Sequence, residues 1–198
     1  MPATVDYRQL RVLLAPDLPE RLVEHIDRVL VVAAELATRH HLDASRVLLA
    51  AQGHDALRGM TPEAWLEAAA TRGLEVSELE RANPVLLHGP LGAIELEQRG
   101  LVDDAEVLEA IRWHTTGHPD FGPLAWAMFI ADKVEPGKLE RWPSLLAVAE
   151  LADDSLEEAA LLYLELNRRR GTKQGWTEHP LAQQTRAALR HRLWTGHA

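Results

Sequence analysis

The chain contains no cysteine. That excludes a disulfide framework and any zinc site built on thiolates, and it leaves histidine and carboxylate as metal ligands. Aromatic residues make up only 5%, as six Trp, two Tyr and two Phe. Period-two runs of Val, Ile, Thr and Tyr are missing too, which removes the usual signature of a β-sheet. No apolar stretch of about 20 residues occurs, and "MPATVDYRQL" has no hydrophobic leader segment. The expectation is a soluble, cytoplasmic protein with no membrane partner. Basic charge is short as well. The formal net charge is −9, and the one basic run is Arg168-Arg169-Arg170. Nucleic-acid binders present a basic stripe, so no nucleic-acid partner is expected. A small phosphate ligand stays open, because a metal can supply local positive charge that the surface lacks.

What is present is Leu, Ala and Glu at helical spacing, which predicts an all-α fold. The length of 198 residues suits a single domain over 1–198, with a core at about 17–170 and a C-terminal helix at about 180–194. Nothing in it sets an oligomeric state. Asp17 reads as an N-cap, with Pro19 in the first turn of a helix repeating Leu22, Ile26, Val29, Leu30, Ala33 and Leu36. A second helix opens at Asp43 or Ser45 and leads to His54-Asp55. A third is capped by Thr61, followed by Pro62, and ends at Gly73. Further helices start beside His88 and stop at Gly100, start at Asp103 or Asp104, and lie in "GPLAWAMFIADKVEPG", closed by Pro136-Gly137. Ser155 and Glu158 have capping-box spacing. "GTKQGWTEHP" reads as an exposed connection.

Several polar residues interrupt apolar helix faces. His25 flanks the first stripe. His54 and Asp55 follow Ala50 and Ala51 by one turn, and the preceding Gly53 allows a close approach by backbone or ligand. His114 continues the Val107–Ile111 stripe. Asp132 follows Met128 and Phe129 on one face. Taken singly, a histidine in such a place is a hydrogen-bonded structural residue. Asp132 either turns to solvent or has a cationic partner, since a buried unpaired carboxylate costs several kcal/mol. Taken together, His25, His54, Asp55, His88, His114 and Asp132 supply four imidazoles and two carboxylates, enough to surround two divalent ions. Such donors suit iron, manganese, cobalt or zinc. The adjacent His54-Asp55 pair offers a terminal ligand and a carboxylate able to bridge.

The order His … His-Asp … Asp resembles the HD-domain phosphohydrolases. "LLHGPLGA", "EVLEAIRWHTTG" and "ADKVEPGK" are similar to the YqeK family of HD-domain hydrolases, from about residue 20 to about 180. The resemblance implies a helical HD-domain bundle with a dinuclear centre, most simply iron. It also implies symmetrical hydrolysis of a small-molecule dinucleoside polyphosphate, diadenosine tetraphosphate, to two ADP. Carried over by position, one metal takes His25, His54, Asp55 and Asp132, and the second takes His88 and His114 with Asp55 bridging. A hydroxide between the metals would attack an inner phosphorus. The alternative is an HD phosphohydrolase acting on another nucleotide, and a third reading is a metal- and nucleotide-binding module without turnover.

Candidate phosphate contacts are Arg58, Arg112, Lys133, Lys138, Thr115 and Thr116, each also readable as an ordinary surface cation or turn residue. The chain departs from the family pattern at four of its positions. Leu22 stands where an Arg precedes the first His, Arg58 replaces a Lys, Lys133 a Tyr, and Lys138 an Arg. Arg-to-Lys keeps charge but loses the bidentate fork. His40, His41, His118, His191 and His197 read as surface residues, and His179 as structural or exposed. Trp65, Trp113, Trp126 and Trp142 read as core or rim packing, with Trp113 also able to wall an adenine.

Overall fold

The centre of the molecule is a helix with no exposed face beyond its first residue. In the computed structural model, which describes residues 5–195, every residue from Leu124 to Val134 of helix Pro123–Val134 is buried. A helix buried all round must be enclosed by others, and this one is. Twelve α-helices occur among the described residues, and no strand. They are α1 Tyr7–Leu14, α2 Glu20–Arg39, α3 Ala44–Gly53, α4 Pro62–Thr71, α5 Glu78–Ala82, α6 His88–Gln98, α7 Ala105–Arg112, α8 Pro123–Val134, α9 Pro136–Arg141, α10 Leu146–Ala152, α11 Leu156–Gln174 and α12 Pro180–Thr195. Helices α2, α3, α7, α10 and α11 pack around α8, and α12 lies on α11. A smaller apolar cluster of Trp65, Ala69, Leu87 and Leu91 joins α4 to α6.

The helix starts follow capping chemistry. Asp43, Thr61 and Asp104 each accept hydrogen bonds from backbone N–H groups one turn on. Ser155 caps α11 by accepting from the Glu158 N–H. Asp17 does not cap α2. It ends a short 3₁₀ turn, Ala15–Asp17, and Pro19 takes the cap position itself, its carbonyl accepting from Leu22 and Val23. Helix α1 carries no apolar stripe beyond Leu10 and Leu14, and the sequence reading passes over it. At the far end α11 runs on to Gln174, so the exposed connection shortens to 175–179. Pro136-Gly137 does not simply end α8 but opens α9, with Glu135 closing one helix and capping the next.

Candidate metal centre

Three helix ends converge on the last turn of α8. His54 and Asp55 follow the C-terminus of α3, His88 begins α6, His114 follows the C-terminus of α7, and Asp132 sits in the last turn of α8. His25 reaches in from the middle of α2. All but His25 are fully enclosed, and His25 is half-buried on the flank of its stripe. The Cβ-free face of Gly53 is filled by Ile111 and Leu96 side chains rather than by a ligand.

The imidazoles share one orientation. Nδ1 of His54 is 2.7 Å from the Ala51 carbonyl, Nδ1 of His114 is 2.7 Å from the Ile111 carbonyl, and Nδ1 of His88 meets the Val85 carbonyl. A carbonyl only accepts, so each Nδ1 carries the proton and each Nε2 is left with a lone pair. His25 follows the same rule, its Nδ1 3.4 Å from Glu135 Oε1. Four Nε2 atoms therefore face inward. The Nε2 of His54 is buried with no hydrogen-bond partner, as expected of a metal ligand and costly otherwise.

Asp55 divides these nitrogens. Its Oδ1 lies 3.0 Å from His88 Nε2 and 3.6 Å from His114 Nε2. Its Oδ2 lies 3.5 Å from His54 Nε2 and 3.8 Å from His25 Nε2. Asp132 Oδ1 completes the second side, 3.1 Å from His25 and 3.7 Å from His54. Two groups that can each hold a metal ion result, His25 with His54 and Asp55, and Asp55 with His88 and His114. The donor set, neutral imidazole with carboxylate, fits divalent first-row metals.

Electrostatics favour a cation here. Burial pushes His54 down and His114 down to about 3, so both imidazoles are neutral at neutral pH, the form in which a metal could be bound. Burial pushes Asp55 up, but His54, His114 and His88 together outweigh it and hold the carboxyl well below its ordinary range. Asp132 is held down in the same way by Lys133 and Lys138 against its burial.

The surrounding residues sort differently from the sequence reading. Asp132 does not face solvent; it has cationic partners. Lys138 Nζ lies 2.6 Å from both its carbonyl and its Oδ1. Lys133 is buried, its ammonium 2.5 Å from Asp132 Oδ2 and 2.9 Å from the His114 carbonyl, over the faces of Phe129 and Tyr163. Its ammonium is therefore engaged by protein groups, while the side chain also lines a cavity beside the centre. Thr116 is likewise buried, its hydroxyl donating to the Gly117 carbonyl at 2.9 Å. Arg112 pairs with Glu109 at 3.2 Å. Arg58 is exposed and Thr115 half-buried beside His114.

Glu135 is the residue that sequence reasoning missed. It is 2% exposed and serves three groups: His25 Nδ1, Arg28 Nε at 2.5 Å, and the Gly137 N–H at 2.9 Å. The signal available was an acid three residues after Asp132, at a helix break. Among the outlying histidines, His41 and His191 are exposed as expected. His40 instead ties α2 to α10, its ring 2.7 Å from the Ala152 carbonyl, and His118 is half-buried against Trp113. His179 is half-buried, 3.7 Å from Glu80, and His197 lies outside the described residues. Trp65 and Trp126 are core residues, and Trp113 and Trp142 are half-buried.

Comparison with known proteins agrees with this geometry. The HD domain family matches residues 22–137. A symmetrical bis(5'-nucleosyl)-tetraphosphatase of Bacillus subtilis is 31% identical over 144 residues, 73% of this chain and 76% of the relative. Its namesake from Halalkalibacterium halodurans is 30% identical over 75% of this chain and 78% of its own length. The crystal structure of a predicted HD superfamily hydrolase involved in NAD metabolism, from Clostridium acetobutylicum, superposes with a TM-score of 0.88. It is 27% identical and covers 96% of this chain and all of its own. With the family matching the very segment that carries His25 through Asp132, the chain belongs to the HD-domain hydrolases, in the YqeK group.

Proposed function

We propose that the chain hydrolyses diadenosine tetraphosphate symmetrically to two ADP. Two divalent metal ions, most simply iron, would be held by His25, His54, Asp55 and Asp132 on one side and by Asp55, His88 and His114 on the other. The observation that carries this reading is the division of Asp55, one carboxylate oxygen to each pair of imidazoles. When bound, such a pair of ions supplies Lewis acidity for phosphoryl oxygens and an acidified water as nucleophile. The chain's own residues set the stage. Nδ1–H bonds fix the four rings, Glu135 orients His25, and Lys133 and Lys138 anchor Asp132. Arg58, Arg112, Lys133, Lys138, Thr115 and Thr116 are the candidates to meet phosphate oxygens, with Arg58 the most exposed of the set and Lys133 and Thr116 buried. The names of the curated relatives supply the substrate.

Incubation of metal-loaded protein with diadenosine tetraphosphate should give ADP as the sole nucleotide product. AMP together with ATP would overturn the symmetry. A second reading, cleavage of another nucleotide, is favoured by the NAD-metabolism description of the Clostridium structure. A panel of nucleotides separates them: the tetraphosphate should lead in kcat/KM, and a lead by any mononucleotide selects the second reading.

A further inference from the structure

A cavity of about 540 Å³ opens beside the metal centre, between α9 and α11. Lys133 and Lys138 belong to both places: they line the cavity, and their ammonium groups hold Asp132. That volume suits a nucleotide-sized ligand, for which pockets run to about 300–1,000 Å³.

The charge of the lining runs against the charge of the chain. The sequence has 30 acidic residues against 21 basic ones. The lining has Lys133, Lys138, Arg169, Arg170 and Lys173, and no carboxylate. Lys133 and Lys138 are answered by Asp132, whereas Arg169, Arg170 and Lys173 gather round the space without a carboxylate in the lining, and a bound anion would offset their repulsion.

Arg170 is prepared for such an anion. Its guanidinium carbon is 4.3 Å from the centre of the Trp142 ring and 4.9 Å from that of Trp176. Trp176 is folded back by the end of α11. Gly175 is left-handed, with φ 73°, and the Trp176 N–H returns to the Gly171 carbonyl at 2.9 Å. The Arg170 Nε is buried with no hydrogen-bond partner. A guanidinium within cation–π distance of two indole rings has less rotamer freedom left to lose, and its N–H fork matches a phosphate.

We propose that this cavity seats one nucleoside diphosphate half of the substrate. Its phosphates are drawn to Lys138, Arg170 and Lys173, and its base lies against the Trp142 wall. The identity of the parent molecule rests on the function proposed above; the seat itself rests on the cavity. Symmetrical cleavage requires a nucleoside diphosphate on each side of the scissile bond, and this is the seat of one.

The test is calorimetric binding of ADP to metal-loaded protein, wild type against R170Q, R170K and K173E. R170Q and K173E should each weaken ADP binding about tenfold, the weight of one charge-assisted contact, with kcat/KM for the tetraphosphate falling alongside. R170K should fall between, since it keeps the charge and loses the fork. Lys173 is exposed, so K173E decides the matter if R170Q does not fold. Unchanged ADP affinity in the folded variants overturns the seat even if the tetraphosphate is cleaved. Weakened ADP binding without tetraphosphate cleavage keeps the seat and overturns only the hydrolytic assignment.

Discussion

His88 and His114 point their Nε2 atoms at each other across 2.9 Å. Each donates its Nδ1–H to the carbonyl three residues before it, so two lone pairs face one another. A cation or a shared proton must lie between them and Asp55 Oδ1. Burial holds His114 at about 3, so this imidazole is neutral at neutral pH.

Removing these ligands should therefore be read in metal content. His88→Ala should take the protein from two bound ions towards one, because His25, His54, Asp55 and Asp132 remain. Asp55→Ala should remove both, since its two oxygens serve the two halves. Elemental analysis of protein purified without oxygen measures this. Two ions retained by Asp55→Ala would end the bridging assignment.

Gly89 is what brings α6 close enough to α7 for that meeting. A Cβ there would stand 2.7 Å from the Arg112 carbonyl and 3.2 Å from the His114 ring. Backbone cannot yield as a side chain does, so Gly89→Ala should cost about 1–3 kcal/mol and weaken the His88–His114 half of the centre. Gly92, one turn on, has nothing within 4 Å of its would-be Cβ. Gly92→Ala should stabilise α6 by up to about 1 kcal/mol, because the helix gains a better former. Urea unfolding of the two variants should move in opposite directions.

Glu135 acts through His25. Glu135→Gln keeps its size but weakens its hold on the Nδ1–H and on Arg28. Loss of such an outer carboxylate costs about 10–100-fold in metal affinity. Competition with a chelator should show that loss in the ion bound through His25, with the His88–His114 ion retained.

Lys133 separates structure from substrate contact. Lys133→Met leaves the His114 carbonyl unpaired and Asp132 with one ammonium fewer in a buried place. The metal-free protein should lose about 3 kcal/mol, the usual cost of breaking a buried ion pair. Divalent metal should restore part of it, by supplying Asp132 with another cation. Thermal unfolding with and without metal measures both. An unchanged melting temperature with a raised KM would return Lys133 to the substrate.

The residues of the centre were legible in the sequence partly because burial of polar groups is costly, and their division into two halves came from the family resemblance. Asp132 among Met128, Phe129 and Ile130, and His114 at the end of an apolar stripe, each needed a partner, and spacing placed them on core faces. What escaped were partners fixed by chain reversal. Lys133 is adjacent to Asp132, and helical phase sends neighbours about 100° apart; only the long flexible stem lets its ammonium return beneath the site. Glu135 falls at the break between α8 and α9, where periodicity says nothing. Helix α1 escaped because it shows only two buried positions, too few for a period. Asp17 was misread because its side-chain chemistry suited a cap, while Pro16 and Pro19 dictated the backbone.

Asp104 offers a stability test away from the centre but on the same helix. It caps α7, accepting from Glu106 N–H at 3.0 Å and Val107 N–H at 3.2 Å, and it takes a two-point contact from Arg46 at 2.6 and 2.8 Å. Those bonds, that from Arg46 foremost, hold its carboxyl below the ordinary value of 3.8 against the effect of burial. The pair is partly open to solvent, so the cap carries most of the effect. Asp104→Ala should cost about 1–2 kcal/mol. With the folded value depressed, the stabilisation is full above 3.8 and fades as pH falls through the folded value. The gap between wild type and variant should hold steady from pH 8 to 6 and narrow below about pH 4. His114 stands at the opposite end of α7, so metal content should be unchanged. Loss of metal in Asp104→Ala would show that the start of α7, and not only its end, sets the position of His114.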